Sequence, residues 1–237
     1  MIKVTTIYDN IECTNGFQAD WGFGCIIDHP KAKIIFDTGA HHTILEKNLK
    51  IANIDPSDID IIVLSHKHWD HKGGASWIAK QNRNVKIYMP KSWSNRLEKK
   101  LSLYTSQVHS VLQNLYLSDE FHVVVSKNIW IRELALVIDT SGGSLVFTGC
   151  SHTGIHNIIR NVQNEKQRKI EMLFGGFHLL KSSVSKINMT INELKKLNVC
   201  RVAPCHCTGK QATEILQKEY KNNFIKNGVG KQFIIPL

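Results

Sequence analysis

No stretch of the chain is apolar for long enough to cross a bilayer. The longest such run, around residues 59–64, falls far short of the roughly 20 residues a spanning helix needs, so a soluble protein is expected. The opening segment, MIKVTTIYDN, sets a lysine and two threonines among its few apolar residues; it lacks the apolar core of a secretory signal and reads as a first strand. A disulfide framework is missing as well. The six cysteines, at 13, 25, 150, 200, 205 and 207, are scattered rather than dense, which suits reduced thiols in a cytoplasm. Their spacing also lacks the four-cysteine pattern of an iron–sulfur cluster. There is no internal repeat and no low-complexity linker. With 237 residues, 42% of them hydrophobic, one sizeable core is expected, and residues 1–237 read as a single domain.

Charge is abundant but one-sided: the formal net charge is +10. Such an excess attracts anions, and a nucleic acid is one class of anion it admits. The lysines, however, are spread over Lys47, Lys50, Lys80, Lys99, Lys166 and Lys195 among others, on what read as exposed helix faces rather than one patch. The lean is therefore towards a small anionic substrate, with no membrane partner; oligomeric state is not legible.

Short Ile- and Val-rich segments at 3–8, 24–28 and 33–36 predict an antiparallel opening sheet. Helical spacing follows over 42–53, then a continuous apolar strand at 60–65, a short helix through Ala79 and a strand at 85–89. The stretch 91–117 carries Leu97, Leu101, Tyr104, Val108, Leu112 and Leu115 at helix-compatible intervals and predicts a helical insertion of one or two helices. Strands at 121–125, 129–131, 134–139 and 144–148 predict a second sheet, with a turn at Ser141-Gly142-Gly143. Helices at 155–163, 186–197 and 212–220 then alternate with strands at 172–174 and 201–203. The alternation is that of an α/β protein built as a layered αβ/βα sandwich.

Chemistry is concentrated in Ser65-His66-Lys67-His68-Trp69-Asp70-His71-Lys72-Gly73-Gly74, where four potential ligands fall within six positions. His66 and His68 sit two apart as a strand ends, so an extended backbone aims both imidazoles to one side, where they can share a metal. Asp70 and His71 lie where the chain turns into a helix and can serve a second. A catalytic zinc takes about three protein ligands and keeps a position open. His152 in Gly149-Cys150-Ser151-His152 is assigned to the first ion, and His206 in Pro204-Cys205-His206-Cys207 to the second, each following a strand. His178, in Gly175-Gly176-Phe177-His178-Leu179, has the same context and reads as a ligand or as a proton donor to a leaving group. Cys205 and Cys207 flank His206; on an extended backbone both point away from it and do not share its metal. The other histidines, at 29, 41, 42, 109, 122 and 156, read as structural or surface groups.

The run from His66 to His71 matches in full the H-x-H-x-D-H signature of the metallo-β-lactamase superfamily, which the chain resembles along nearly its whole length. Supporting matches are Phe36-Asp37-Thr38-Gly39, the Thr148-Gly149 loop and the late histidine. Within that superfamily, Gly149-Cys150-Ser151-His152, Gly175-Gly176-Phe177-His178-Leu179 and Cys205-His206-Cys207-Thr208-Gly209 resemble the dihydropteroate-synthase-like branch, named for methanopterin-type dihydropterin ribofuranosylaminobenzene-phosphate synthases. The resemblance implies a four-layer αβ/βα sandwich, two divalent ions and Asp37 as the group steadying the metal loops. Against the branch the 91–117 insertion is short, which implies a more open cleft. Cys150 stands where superfamily hydrolases commonly place a bridging aspartate and is a further candidate ligand, favouring a soft metal as a thiolate. In the usual third-motif region only His122 is available.

The expectation is a metal-dependent hydrolase-type enzyme in which a binuclear centre activates water, with Asp70 positioning it, for attack on an ester, phosphoester or related small anionic substrate, pterin-like phosphates included. Zinc is the first expectation for the metal; iron and manganese suit the same ligands. The alternatives are a nuclease of the same fold, for which the chain is short, and an iron-dependent oxidoreductase on the same ligand framework. A binding protein without activity would not be expected to keep this many ligands.

Overall fold

The computed structural model describes residues 1–91 and 95–237. They form two compact units, Met1–Leu112 with Gly228–Leu237, and Gln113–Asn227.

In the first unit, β1 (Ile2–Tyr8), β2 (Gly24–His29) and β3 (Ala32–Phe36) form an antiparallel meander. Helix α1 (His42–Ile51) then leads to β4 (Ile61–Val63), α2 (Trp69–Lys72), α3 (Ala75–Gln81), β5 (Lys86–Pro90), α4 (Asn95–Leu101) and β6 (Val108–Val111). Strands β3 to β6 are parallel neighbours. The C-terminal strand Gln232–Ile235 closes the other edge against β1. All three residues of β4 are buried, as its unbroken Ile-Ile-Val run requires of an inner parallel strand. Its Ile62 packs with Leu45 and Leu49 of α1 and Ile78 of α3.

The second unit follows the same plan. β7 (Leu115–Tyr116), β8 (Phe121–Lys127), β9 (Arg132–Thr140) and β10 (Gly143–Thr148) run antiparallel, and β10, β11 (Ile170–Gly175) and β12 (Val199–Pro204) run parallel. Helices α5 (Ile155–Glu165), α6 (Val184–Lys196) and α7 (Lys210–Tyr220) supply the crossovers and the C-terminal cover. Helix α5 buries Ile155, Ile158, Ile159 and Val162, one face at the 3.6-residue period.

Two expectations differ from what is observed, and one strand was not expected at all. Of the helical stretch 91–117, only Asn95–Leu101 is α-helix, while Val108–Val111 and Leu115–Tyr116 are strands; residues 92–94 lie outside the described residues. The β-branched Val108 and Val111 pair with β5, and their strand propensity and the available sheet edge outweigh the i, i+3 spacing that suggested a helix. The strand expected at 129–131 is a turn. Asn128 Oδ1 accepts from the backbone N–H of Trp130 and of Ile131, an Asx-type turn that leaves Ile129 and Trp130 exposed at the hairpin tip. The C-terminal strand went unanticipated because it is short and shows only weak alternation.

No described helix is long and apolar enough to cross a membrane.

Candidate metal centre

Every expected ligand lies just beyond the C-terminal end of a parallel strand, where open α/β sheets place their ligand sites. In the first unit Asp37 follows β3, and His66, His68, Asp70 and His71 follow β4. In the second, Cys150 and His152 follow β10, His178 follows β11, and His206 and Cys207 follow β12. Asp37, Ser151, His178 and His206 all have positive φ, between 50° and 61°. A non-glycine residue rarely adopts that conformation, and in globular proteins such strain collects at functional sites.

In the first unit a single carboxylate organises the cluster. Asp37, fully buried, accepts from the Ser65 backbone N–H at 2.7 Å and from the Ser65 hydroxyl at 2.6 Å. Its Oδ2 also meets His71 Nδ1 at 2.7 Å. Ser65 Oγ in turn meets His66 Nδ1 at 2.9 Å. The Nδ1 atoms of two histidines are thus tied to Asp37, one directly and one through Ser65, which leaves Nε2 of each as the ligating atom. His66 Nε2 lies 3.0 Å from His68 Nδ1. Two nitrogens on one tetrahedral zinc, each at about 2.0–2.1 Å, stand roughly 3.3–3.4 Å apart, so the pair fits one ion after a small adjustment. His71 Nε2 is 3.8 Å from Asp70 Oδ2, and the latter accepts from Trp21 Nε1 at 2.8 Å. Gly73 and Gly39 allow the close approach behind this loop: Gly73 donates to the Gly39 carbonyl at 2.7 Å, and a Cβ on Gly73 would stand 1.7 Å from the Ala40 oxygen.

In the second unit, ligand atoms of Cys150, His206 and Cys207 all lie within 4.8 Å of one another, and all three residues are buried. This corrects the expectation that Cys207 turns away from His206. The backbone there is not extended but a tight 3-10 turn, His206–Thr208, entered with His206 at φ 50°, and it brings the two neighbouring side chains to one side. Burial by itself would push the Cys207 thiol up; hydrogen bonds from Cys150 and His178, with the charge of His206, outweigh it and hold Cys207 well below the ordinary thiol range. The same contact with Cys207 raises the His178 imidazole against the effect of burial. The rings of His178 and His152 are 4.3 Å apart, and both residues line a groove of about 340 Å³ that also carries His156 and Lys186 and has no acidic lining residue.

Glu133, Ser65 and Trp21 are supporting residues that the sequence reading missed. Glu133 on β9, buried, accepts from the backbone N–H groups of His152 and Thr153 and from the Thr153 hydroxyl, and so fixes the His152 loop. Burial, foremost, raises its carboxyl pKa despite these bonds. An acid set directly before the apolar run Leu134 to Ile138 hints at burial, but not at which loop it holds. His122 is a core residue: it is buried, stacks on Tyr116 at 5.0 Å, and belongs to no cluster of ligand atoms among the described residues.

A sequence profile described as the metallo-beta-lactamase superfamily matches residues 25–164. The chain is 26% identical to the 7,8-dihydropterin-6-methyl-4-(beta-D-ribofuranosyl)-aminobenzene-5'-phosphate synthase of Methanocaldococcus jannaschii, over 97% of this chain and 95% of that protein. It is 28% identical to an uncharacterized protein of the same organism, MJ0448, over 98% of each. Among solved structures it resembles Tm1679, a metal-dependent hydrolase of the beta-lactamase superfamily, with a TM-score of 0.85, 25% identity and full coverage of both chains. The mixed α/β architecture is shared with Tm1679, and the profile spans more than half of the chain: it belongs to the metallo-beta-lactamase superfamily.

Proposed function

We propose that the chain is a binuclear, divalent-metal-dependent enzyme acting by activation of water on an ester, phosphoester or related small anionic substrate, with phosphorylated pterin-like compounds the first class to test. The observation that carries the reading is the 3.0 Å convergence of His66 Nε2 and His68 Nδ1, backed through Ser65 by the buried Asp37. Two imidazole nitrogens converging at this distance offer lone pairs that one cation can share. In this reading His66, His68 and His152 hold one ion, and Asp70, His71 and His206 the other, with Cys150 a further ligand. Zinc fits the nitrogen and sulfur donors best; iron and manganese remain compatible with the nitrogen and oxygen set.

Divalent ions, when bound, supply Lewis acidity: they lower the pKa of water towards neutrality and polarise a carbonyl or phosphoryl oxygen. The chain's own groups do the rest. Asp70, its Oδ2 oriented by the Trp21 indole N–H, positions the attacking water. His178, which lines the groove, gives a proton to the departing oxygen. His156 and Lys186 on the same groove favour an anionic substrate, because no carboxylate lines it.

A second reading is favoured by the full-length similarity to a protein named as a synthase: the same residues would promote condensation of a phosphorylated substrate rather than hydrolysis. Elemental analysis of purified protein, wild type and the variants His68→Ala and His206→Ala, separates the possibilities for the site. About two equivalents of zinc, falling in each variant, are expected. Iron in its place would point to redox chemistry, and no metal after reconstitution would overturn the proposal. A panel of phosphoesters and pterin phosphates, assayed for released phosphate or alcohol and for condensed product, then distinguishes hydrolase from synthase.

A further inference from the structure

We propose that Cys207 is a metal ligand, and that Cys150 Sγ, Cys207 Sγ and a ring nitrogen of His206 form a sulfur-rich tripod that gives the second unit its own grip on one soft divalent ion. The proposal rests on the metal-enzyme reading above and specifies one ion of that centre: a site built on thiolates, selective for zinc over iron or manganese.

Three loops build the tripod, and backbone hydrogen bonds stitch them together. Cys150 follows β10; the turn that carries His206 and Cys207 follows β12; and between them runs the Gly175–Gly176 segment that follows β11. Gly176 N–H donates to the Gly149 carbonyl at 2.9 Å, Cys205 N–H to the Gly175 carbonyl at 3.0 Å, and the Ser151 hydroxyl to the Gly176 carbonyl at 2.7 Å. Phe177 N–H donates to Thr208 Oγ1 at 3.1 Å. Side chains placed by such a network are ordered before any ligand arrives, so little conformational entropy remains to be lost on binding.

Gly176 sets the position of the sulfur. A Cβ there would come within 2.5 Å of Cys207 Sγ and of the Gly149 oxygen, so the Cys207 side chain packs directly onto glycine backbone on its way to Cys150 and His206. The three ligand atoms lie within 4.8 Å of one another. Two thiolates on a tetrahedral zinc, with Zn–S near 2.3 Å, have their sulfurs roughly 3.8 Å apart, so the set closes on an ion with a shift of about 1 Å or less. Two sulfurs and one imidazole are a soft donor set, which is what selects zinc from the first-row divalent ions the rest of the centre would accept. His178, hydrogen-bonded to Cys207, orients the sulfur from outside, as partners of metal ligands commonly do. Cys205, on the other side of His206, is absent from the cluster.

The alternative is a plain buried thiol: Cys207 Sγ lies 3.5 Å from the Cys150 carbonyl oxygen, to which it can donate. The two are distinguished by loading the full chain with Co²⁺ and recording cobalt content together with near-ultraviolet absorption. The wild type is expected to show a sulfur-to-cobalt charge-transfer band. That band should weaken in Cys207→Ser and Cys150→Ser and persist in Cys205→Ser, and competition with a chromophoric chelator should give a zinc affinity roughly tenfold or more weaker for Cys207→Ser. Cobalt bound with no such band, or a Cys207→Ser spectrum and affinity equal to wild type, overturns the tripod and leaves the metal-enzyme reading standing. No cobalt bound at all removes both. Should the serine variants not fold, the wild-type band and the zinc protection of two buried thiols from a thiol-modifying reagent decide the question unaided.

Discussion

Asp37 concentrates more of the site on one side chain than any of the histidines does, because its two oxygens take three hydrogen bonds and reach two imidazoles. Replacing it with asparagine keeps the shape but puts an amide N–H where one acceptor oxygen stood, so either Ser65 or His71 loses its partner. Asp37→Asn is expected to retain its circular-dichroism spectrum while metal affinity falls about 10- to 100-fold, as read by chelator competition; unchanged affinity would mean that Asp37 is structural only. Gly73→Ala tests the backbone behind the ligands. Its Cβ would sit 1.7 Å from the Ala40 carbonyl, which no rotamer relieves, and a loss of about 3 kcal/mol or more in urea unfolding is expected. At this scale the sequence was legible where ligands crowd together: four within six positions leave few bland readings. Glu133 was not legible, because its partners His152 and Thr153 are distant in sequence and nothing local marks the contact. Cys207 was misread for a different reason: the alternation rule for neighbours presumes an extended chain, and His206 has positive φ.

Elements were read best where the apolar period is unambiguous. Helix α5, with its buried stripe, and β4, with its unbroken run, appear as expected, whereas in the 91–117 stretch pairing with a sheet edge overrides i, i+3 spacing carried by few residues. The expected strand at 129–131 failed because two large apolar residues outweighed the turn signal of Asn128, whose side chain in fact builds the corner. The sheet of the second unit also carries a charge pair with a defined pH signature. Burial opposes ionisation of Asp139 on β9, but hydrogen bonds from Lys166 at 2.7 Å and from Ser144 at 2.7 Å prevail and hold its pKa below the ordinary carboxylate value. A carboxylate depressed in the folded state contributes stability above its unfolded pKa of about 3.9, and that contribution is lost as pH falls through the folded value. Asp139→Asn should therefore lower the urea midpoint at pH 7, and the gap to wild type should narrow as pH falls below the ordinary carboxylate range, through the depressed folded pKa. A gap that is constant with pH would show that packing at the site, not ionisation, is what the substitution removes.

On the scale of the whole molecule, each unit runs from an antiparallel meander into parallel strands and places its candidate ligands beyond the C-terminal ends of those strands. The layered α/β class was legible from the alternation of elements, and the two units are similar in topology without any repeat in their residues. This arrangement gives metal removal a thermodynamic consequence. Ions that bind only the folded chain stabilise it by RT ln(1 + [M]/Kd), about 4 kcal/mol when free metal exceeds Kd 1,000-fold. Treatment with a strong chelator is therefore expected to lower the thermal midpoint, and re-addition of zinc to restore it in a concentration-dependent way. The loops to be protected are those rich in strained backbone, around Asp37, Ser151, His178 and His206, since bound metal opposes local opening where the backbone is least favourable. Hydrogen exchange with and without zinc should accordingly show protection concentrated at these loops. Uniform protection across the sheets instead would mean that metal acts through global stability alone, and no change in either measurement would contradict a resident metal centre.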